Sequence, residues 1–193
     1  MLFRSHRDGF DDVERRFAAF KGTERALYFS SGYLANLAVM TALAERDDVI
    51  FSDALNHASL IDAVRLSSAD YVIAPHRDAA ALEPLIAAHS AEKQAFIVTE
   101  SLFSMDGDIA PLDDYAALCR ATGAALIVDE AHAVGIYGER GSGLIEQFGL
   151  DPNACVSINT AGKALGVAGA FVAGPAWAIE YLVQRARPFV FST

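Results

Sequence analysis

Residues 125–138 read ALIVDEAHAVGIYG. Four apolar residues stand in a row, with no polar alternation, and then meet an acidic pair. A strand with one wet face alternates; a strand covered on both faces reads as an unbroken apolar run. Short apolar runs recur in ALYFS (26–30), VIFSD (49–53), YVIAP (71–75), AFIVT (95–99), CVSIN (155–159) and AFVAG (170–174), most of them apolar on consecutive positions. Between these runs lie segments with helical spacing: YLANLAVMTALAE (33–45), ASLIDAVRLS (58–67), AALEPLIAAH (80–89), PLDDYAALCRATG (111–123) and AWAIEYLVQRA (176–186). Pro111 suits a helix start and Gly123 a helix stop, while Pro84 belongs to a first turn or kinks its helix. Alternating strand and helix predicts an α/β protein: three layers around a mostly parallel, seven-stranded sheet.

The chain has 193 residues, 53% hydrophobic and 21% charged, which suits one domain with a sizeable core. No repeat, linker or low-complexity stretch divides it. Its net charge of −10 argues against a surface built to neutralise nucleic-acid phosphates. Cys119 and Cys155 form no C-x-x-C pair, and both are expected to be buried thiols in a reducing compartment. The opening MLFRSHRDGF lacks the long apolar run of a secretory leader, and nowhere are there about 18 consecutive apolar residues. The expectation is a cytoplasmic protein with no membrane span.

In a parallel sheet, ligands bind beyond the carboxyl ends of the strands. Polar residues gather at five such ends: FSSGY after the first run, Asp53 and His57 after the second, Glu100 and Ser104 after the fourth, Asp129 and His132 after the fifth, Thr160 and Lys163 after the sixth. The letters Asp-Glu-Ala-His at 129–132 match the signature box of a helicase class. A P-loop motor, however, needs G-x-x-x-x-G-K-[ST]. Here Gly162-Lys163 is followed by Ala164, Ser157 stands where the first glycine belongs, and the pair follows the acidic box instead of preceding it. GERGSG (138–143) lacks the strand-turn-helix context of a dinucleotide loop. SMDGD (104–108) lacks the further oxygens of a calcium loop and reads as a tight turn. No metal site is expected.

A lysine in a Gly-rich loop, an aspartate ending a buried strand and a histidine three residues on suit a different chemistry. A lysine amine condenses with an aldehyde, and pyridoxal 5'-phosphate (PLP) is the common biological one. The PLP ring accepts electrons when its nitrogen is protonated, which a neighbouring aspartate favours. Its phosphate is held by backbone N–H groups at a helix start, such as Ser31-Gly32-Tyr33. The motifs FSSGYLAN, DALNHASLIDAVRLS, VTESLFSMDGDIAPL, LIVDEAHAVGIYGERGSG and NTAGKALGVAGAF, in that order, resemble the α-oxoamine synthase family of PLP enzymes, within the aspartate-aminotransferase superfamily of fold type I. The resemblance covers nearly the whole chain.

That resemblance implies a role for each matching position. Lys163 would bond the cofactor's aldehyde carbon and remove the amino-acid α-proton. Asp129 would hold the pyridine N–H and His57 would stack on the ring. His132 would bond near the phenolic oxygen, with Ser104 on the same side. Thr160 and the amides of Ser31, Gly32 and Tyr33 would bind the phosphate, and Thr193 would reach the phosphate of a partner subunit in a homodimer. Glu100 and Asn36 would support. His6, His76 and His89 receive no role, His89 being expected in solvent. The implied reaction joins a small amino acid, L-alanine in the biotin-synthesis branch, to an acyl-CoA or acyl-carrier thioester with loss of CO₂. Family members are longer, so residues 1–193 would be the PLP-binding large domain alone, without the N-terminal segment and the small C-terminal domain. Bare apolar surface should then make the chain self-associate. Two further readings share these residues: another fold-type-I enzyme, such as an aminotransferase or a 2-amino-3-ketobutyrate ligase, and a PLP-binding fragment without turnover. Aminotransferases usually stack an aromatic ring where this chain has His57.

Overall fold

A computed structural model describes residues 8–89 and 93–191. In chain order the elements are α1 (Asp8–Lys21), β1 (Arg25–Phe29), α2 (Gly32–Leu43), β2 (Val49–Asp53), α3 (Ala58–Leu66), β3 (Asp70–Ala74), α4 (Ala79–Ala88), β4 (Ala95–Glu100), α5 (Leu112–Thr122), β5 (Ala125–Asp129), α6 (Leu144–Gln147), β6 (Cys155–Thr160), β7 (Ala170–Gly174), α7 (Ala176–Arg185) and α8 (Arg187–Val190). All seven apolar runs are strands of one sheet, ordered β1-β7-β6-β5-β4-β2-β3. β7 is antiparallel to β1 and β6, and the other pairs are parallel.

Successive residues along each central strand supply opposite faces. Ile50, Phe96, Val98, Ile127, Val156 and Ile158 pack under α2, α3, α7 and α8. Val49, Phe51, Ile97, Leu126 and Val128 pack under α4, α5 and α6. On this second face α1 covers β1 and β7 through Phe17, Ala26, Phe171 and Ala173, with Phe17 and Phe171 stacked at 4.1 Å between ring centroids. The result is a three-layer α/β sandwich. Each fully buried Ile, Leu or Phe contributes roughly 1.5–3 kcal/mol of apolar transfer, so the unbroken runs of β2, β4 and β5 anchor the residues that follow them.

Several details differ from the sequence reading. YVIAP is not covered on both faces: β3 is the sheet's edge, and Tyr71 and Ile73 are exposed. Cys119 is only half-buried, whereas Cys155 is buried. Burial pushes both thiols up to about 12. His89 is not free in solvent: its Nδ1 lies 2.8 Å from the Leu85 carbonyl and its ring meets Phe51 edge-on. Pro84 sits inside α4, past the first turn, and deprives the Ala80 carbonyl of its helical donor. Gly123 ends α5 in the left-handed region (φ 78°) as expected. Among the described residues no helix is long and apolar enough to cross a membrane. Among the described residues no group of three His, Cys, Asp or Glu is placed to hold a metal either.

Candidate active site

The carboxyl ends of β1, β2, β4, β5 and β6 share one edge of the sheet, because these strands run in the same direction. At β1 the chain turns directly into α2. Ser31 is the N-cap, its hydroxyl accepting the Leu34 N–H at 3.2 Å and its carbonyl the Ala35 N–H at 3.1 Å. The amides of Gly32 and Tyr33 head the helix and have no intrahelical acceptor. Gly32 lies against the end of β6, where a Cβ would collide with the Thr160 hydroxyl. A helix N-terminus and a hydroxyl thus form one small cradle of donors, suited to an anion. The Tyr33 side chain points elsewhere, donating its hydroxyl to Asp62 at 3.3 Å.

Asp129 ends β5 and is buried. Its Oδ1 accepts the Ala131 N–H at 2.9 Å and its Oδ2 accepts the Asn36 side-chain amide at 2.9 Å. Glu100 stands beside it in the β4–β5 pairing and is also buried. Desolvation first, then the Asp129 carboxylate, raise Glu100 to about 7, against the opposing pull of the His57 N–H and the Lys163 cation. That N–H donates to Glu100 Oε1 at 2.6 Å. Asn56 holds Glu100 from behind: its Oδ1 accepts the Glu100 N–H, and its amide bonds Ser52 and the Val98 carbonyl.

His57 caps α3. Its Nδ1 accepts the Ser59 N–H at 3.2 Å and lies 2.8 Å from the Ser59 hydroxyl. His132 sits half-buried in the turn after β5; burial and then the Lys163 cation keep its pKa below the usual imidazole value. Lys163 is exposed on the loop after β6. That loop is closed by three backbone bonds, Ala161 N–H to Gly169, Gly166 N–H to Lys163 and Val167 N–H to Ala161. Gly169 (φ 101°) presses on the Tyr28 ring, where any Cβ would overlap it, and Tyr28 donates its hydroxyl to the Ala168 carbonyl at 3.3 Å. The lysine is therefore carried on a clamped loop.

The structure brings Gly32, Tyr33 and Thr160 into one group and Asp129, His57, His132 and Lys163 into another at the same edge. Ser104 lies exposed in the turn after β4, and no described contact ties its hydroxyl to either group. Thr193 and His6 lie outside the described residues. Three contributors carried no sequence signal for a site. Ser59 bonds Asn36 at 2.9 Å. Glu130, fully buried beside Asp129, pairs with the buried Lys21 of α1 and accepts the Ile145 N–H. Lys21 also donates to the Ser142 carbonyl. Asn36 was visible, three residues after Tyr33 on the same helix face, but its contact with Asp129 was not.

The aminotransferase class I and II family matches residues 4–193. An 8-amino-7-oxononanoate synthase from Paraburkholderia xenovorans (strain LB400) is 52% identical over 190 residues, 98% of this chain and 48% of its own length. A solved 8-amino-7-oxononanoate synthase from Francisella tularensis superposes with a TM-score of 0.84 at 38% identity, covering 99% of this chain and 55% of its own. A solved SPT with PLP superposes with a TM-score of 0.92 at 32% identity, covering 98% of this chain and 48% of its own. The chain spans about half the length of the curated relatives it matches.

Proposed function

The chain belongs to the aminotransferase class I and II family, and from that premise we propose that residues 1–193 are the PLP-binding large domain of an acyltransferase. The enzyme would join a small amino acid to an acyl-CoA or acyl-carrier thioester with loss of CO₂. Relatives named 8-amino-7-oxononanoate synthase support this reading; in it the amino acid is L-alanine and the setting is biotin synthesis. A homodimer in the cytoplasm is part of the same reading.

The residues fit PLP. The observation that carries the reading is the cradle at Gly32: its missing Cβ leaves the α2 N-terminus and the Thr160 hydroxyl converging on one point, which suits a phosphate. Asp129 is held by Asn36 and Ala131 with lone pairs left for a ring N–H. PLP supplies the aldehyde carbon and the electron-accepting ring. Lys163 would bond the aldehyde carbon with loss of water and, once the substrate amine has replaced it there, would take the α-proton on its freed Nζ. Asp129 would hold the proton on the ring nitrogen. His57 would stack on the ring. Burial and then the Lys163 cation disfavour charge on His132, which would offer its hydrogen bond near the phenolic oxygen; Ser104, exposed in the turn after β4, would stand on the same side.

Borohydride reduction of the PLP-loaded chain, followed by peptide mass spectrometry, should place the pyridoxyl group on Lys163. CoA release from an acyl-CoA is then compared with alanine, glycine and serine in the full-length protein. Release with alanine supports the reading. Keto-acid exchange without CoA release would make it an aminotransferase, and trapping without either a PLP-binding domain alone.

A further inference from the structure

We infer that Asn36 and Ser59 form a positioning relay joining the Asp129 carboxylate to the His57 ring, and that the relay fixes His57 with its proton on Nε2. The hydrogen-bond directions follow from donor chemistry. A carboxylate accepts only, so Asn36 must turn its Nδ2, and not its Oδ1, to Asp129 Oδ2 at 2.9 Å. The second hydrogen on the same nitrogen then goes to Ser59 Oγ at 2.9 Å. With its oxygen accepting from Asn36, the Ser59 hydroxyl has its own proton free for His57 Nδ1, 2.8 Å away. The Ser59 backbone N–H points at that nitrogen as well, at 3.2 Å. Two donors converge on Nδ1, so Nδ1 is an acceptor and the ring proton sits on Nε2.

Burial makes the relay selective. Asn36 is 1% exposed and Ser59 5%, so water competes little for either. Asn36 Oδ1 is itself buried without a partner among the described residues. An amide chosen for stability alone would satisfy that oxygen, since an unpaired buried acceptor costs about 1–3 kcal/mol. Asn36 instead commits both amide hydrogens to the line between Asp129 and His57. The relay spans α2, α3 and β5, so the His57 ring and the Asp129 carboxylate are set by one connected group. Its bearing on catalysis rests on the proposed function; the tautomer does not.

The test is ¹⁵N NMR of the imidazoles in the full-length protein at a pH where His57 is neutral, with its signals assigned by their loss in His57→Asn. Wild type should show an unprotonated Nδ1 and a protonated Nε2. Ser59→Ala should raise the ratio of Nδ1–H to Nε2–H roughly tenfold, the weight of one hydrogen bond, and Ser59→Thr, which keeps the hydroxyl, should restore it. Asn36→Asp presents an acceptor to Ser59, turns the hydroxyl proton away from His57 and should give the same rise. Because the relay acts in series, Asn36→Asp should add nothing in a Ser59→Ala background. In the PLP-loaded protein both variants should move the pH midpoint of the cofactor's absorbance band, whereas Ser67→Ala at the far end of α3 should not. A proton on Nδ1 in wild type, an unchanged ratio in Ser59→Ala, or additive effects of the two substitutions overturns the relay. The Nε2–H tautomer in a chain whose Lys163 traps no PLP leaves the relay standing and removes the proposed function.

Discussion

Single residues carry opposing demands at this site. Glu100 is buried next to a second carboxylate, and its pKa is raised from 4.5 to about 7. The folded state therefore binds a proton that the unfolded chain releases from pH 4.5 upward. The stability this group contributes is present in full below pH 4.5 and is lost as pH rises through about 7, a change on the order of 3 kcal/mol. Glu100→Gln keeps an oxygen for the His57 N–H but cannot ionise. The variant should gain on wild type between pH 5 and pH 8 in urea unfolding, and parallel curves would refute the burial argument. Gly32 poses a steric question. In Gly32→Ala the new methyl meets the Thr160 hydroxyl, so PLP affinity should fall, with destabilisation of about 1–3 kcal/mol. Thr160→Ala removes the colliding oxygen, so the pair should be less destabilised than the sum of the single changes, as calorimetry would show.

Between elements, two polar clusters, one buried and one half-exposed, fix the loops that carry the site, and neither was legible in the sequence. Asp129 could be read because it ends an apolar run. Glu130 could not, because its partner Lys21 lies 109 positions away on α1 and a lysine on an amphipathic helix reads as solvated. The pair ties α1 to the end of β5 and, through Ser142 and Ile145, to the start of α6. Lys21→Met leaves a buried carboxylate unpaired and should destabilise by about 3–5 kcal/mol, while Lys21→Met with Glu130→Gln should recover much of the loss in denaturant titration. The second cluster bridges strand ends. His76 contacts Asp53 at 2.8 Å and Asp108 at 3.3 Å, and Arg77 reaches Asp108 at 3.2 Å and gives its N–H to Asp53. Burial opposes charge on His76, but the two carboxylates outweigh it and raise its pKa. The stabilisation is present below the ordinary value of 6.5 and is lost as pH rises through the raised one. Asp108 closes the turn that carries Ser104, so His76→Gln should melt earlier than wild type at pH 6 and converge with it at alkaline pH.

For the molecule as a whole, local pattern predicted the layers well and their assembly poorly. Unbroken apolar runs announced β2, β4 and β5, since covering both faces leaves no polar position. The same pattern in β3 misled, because edge or centre is decided by which strands pair, and YVIAP looks alike in either place. The short helices α6 and α8 are too brief to show a period. The assembled sheet also reveals a rim that no single segment displays. Tyr33, Leu55, Met105, Ile136 and Val167 are large, apolar and exposed, and each follows a different strand at the carboxyl edge. Met105 is 91% exposed. An apolar rim around a polar site is unusual for a surface that faces only water, and it is the kind of surface a second subunit would cover. Sedimentation velocity should therefore show concentration-dependent self-association of this chain. Ile136→Lys with Val167→Lys should weaken it without lowering the melting temperature, since neither side chain is part of the core. A chain that sediments as a monomer at high concentration, or variants that associate unchanged, would mean that the rim serves some other contact.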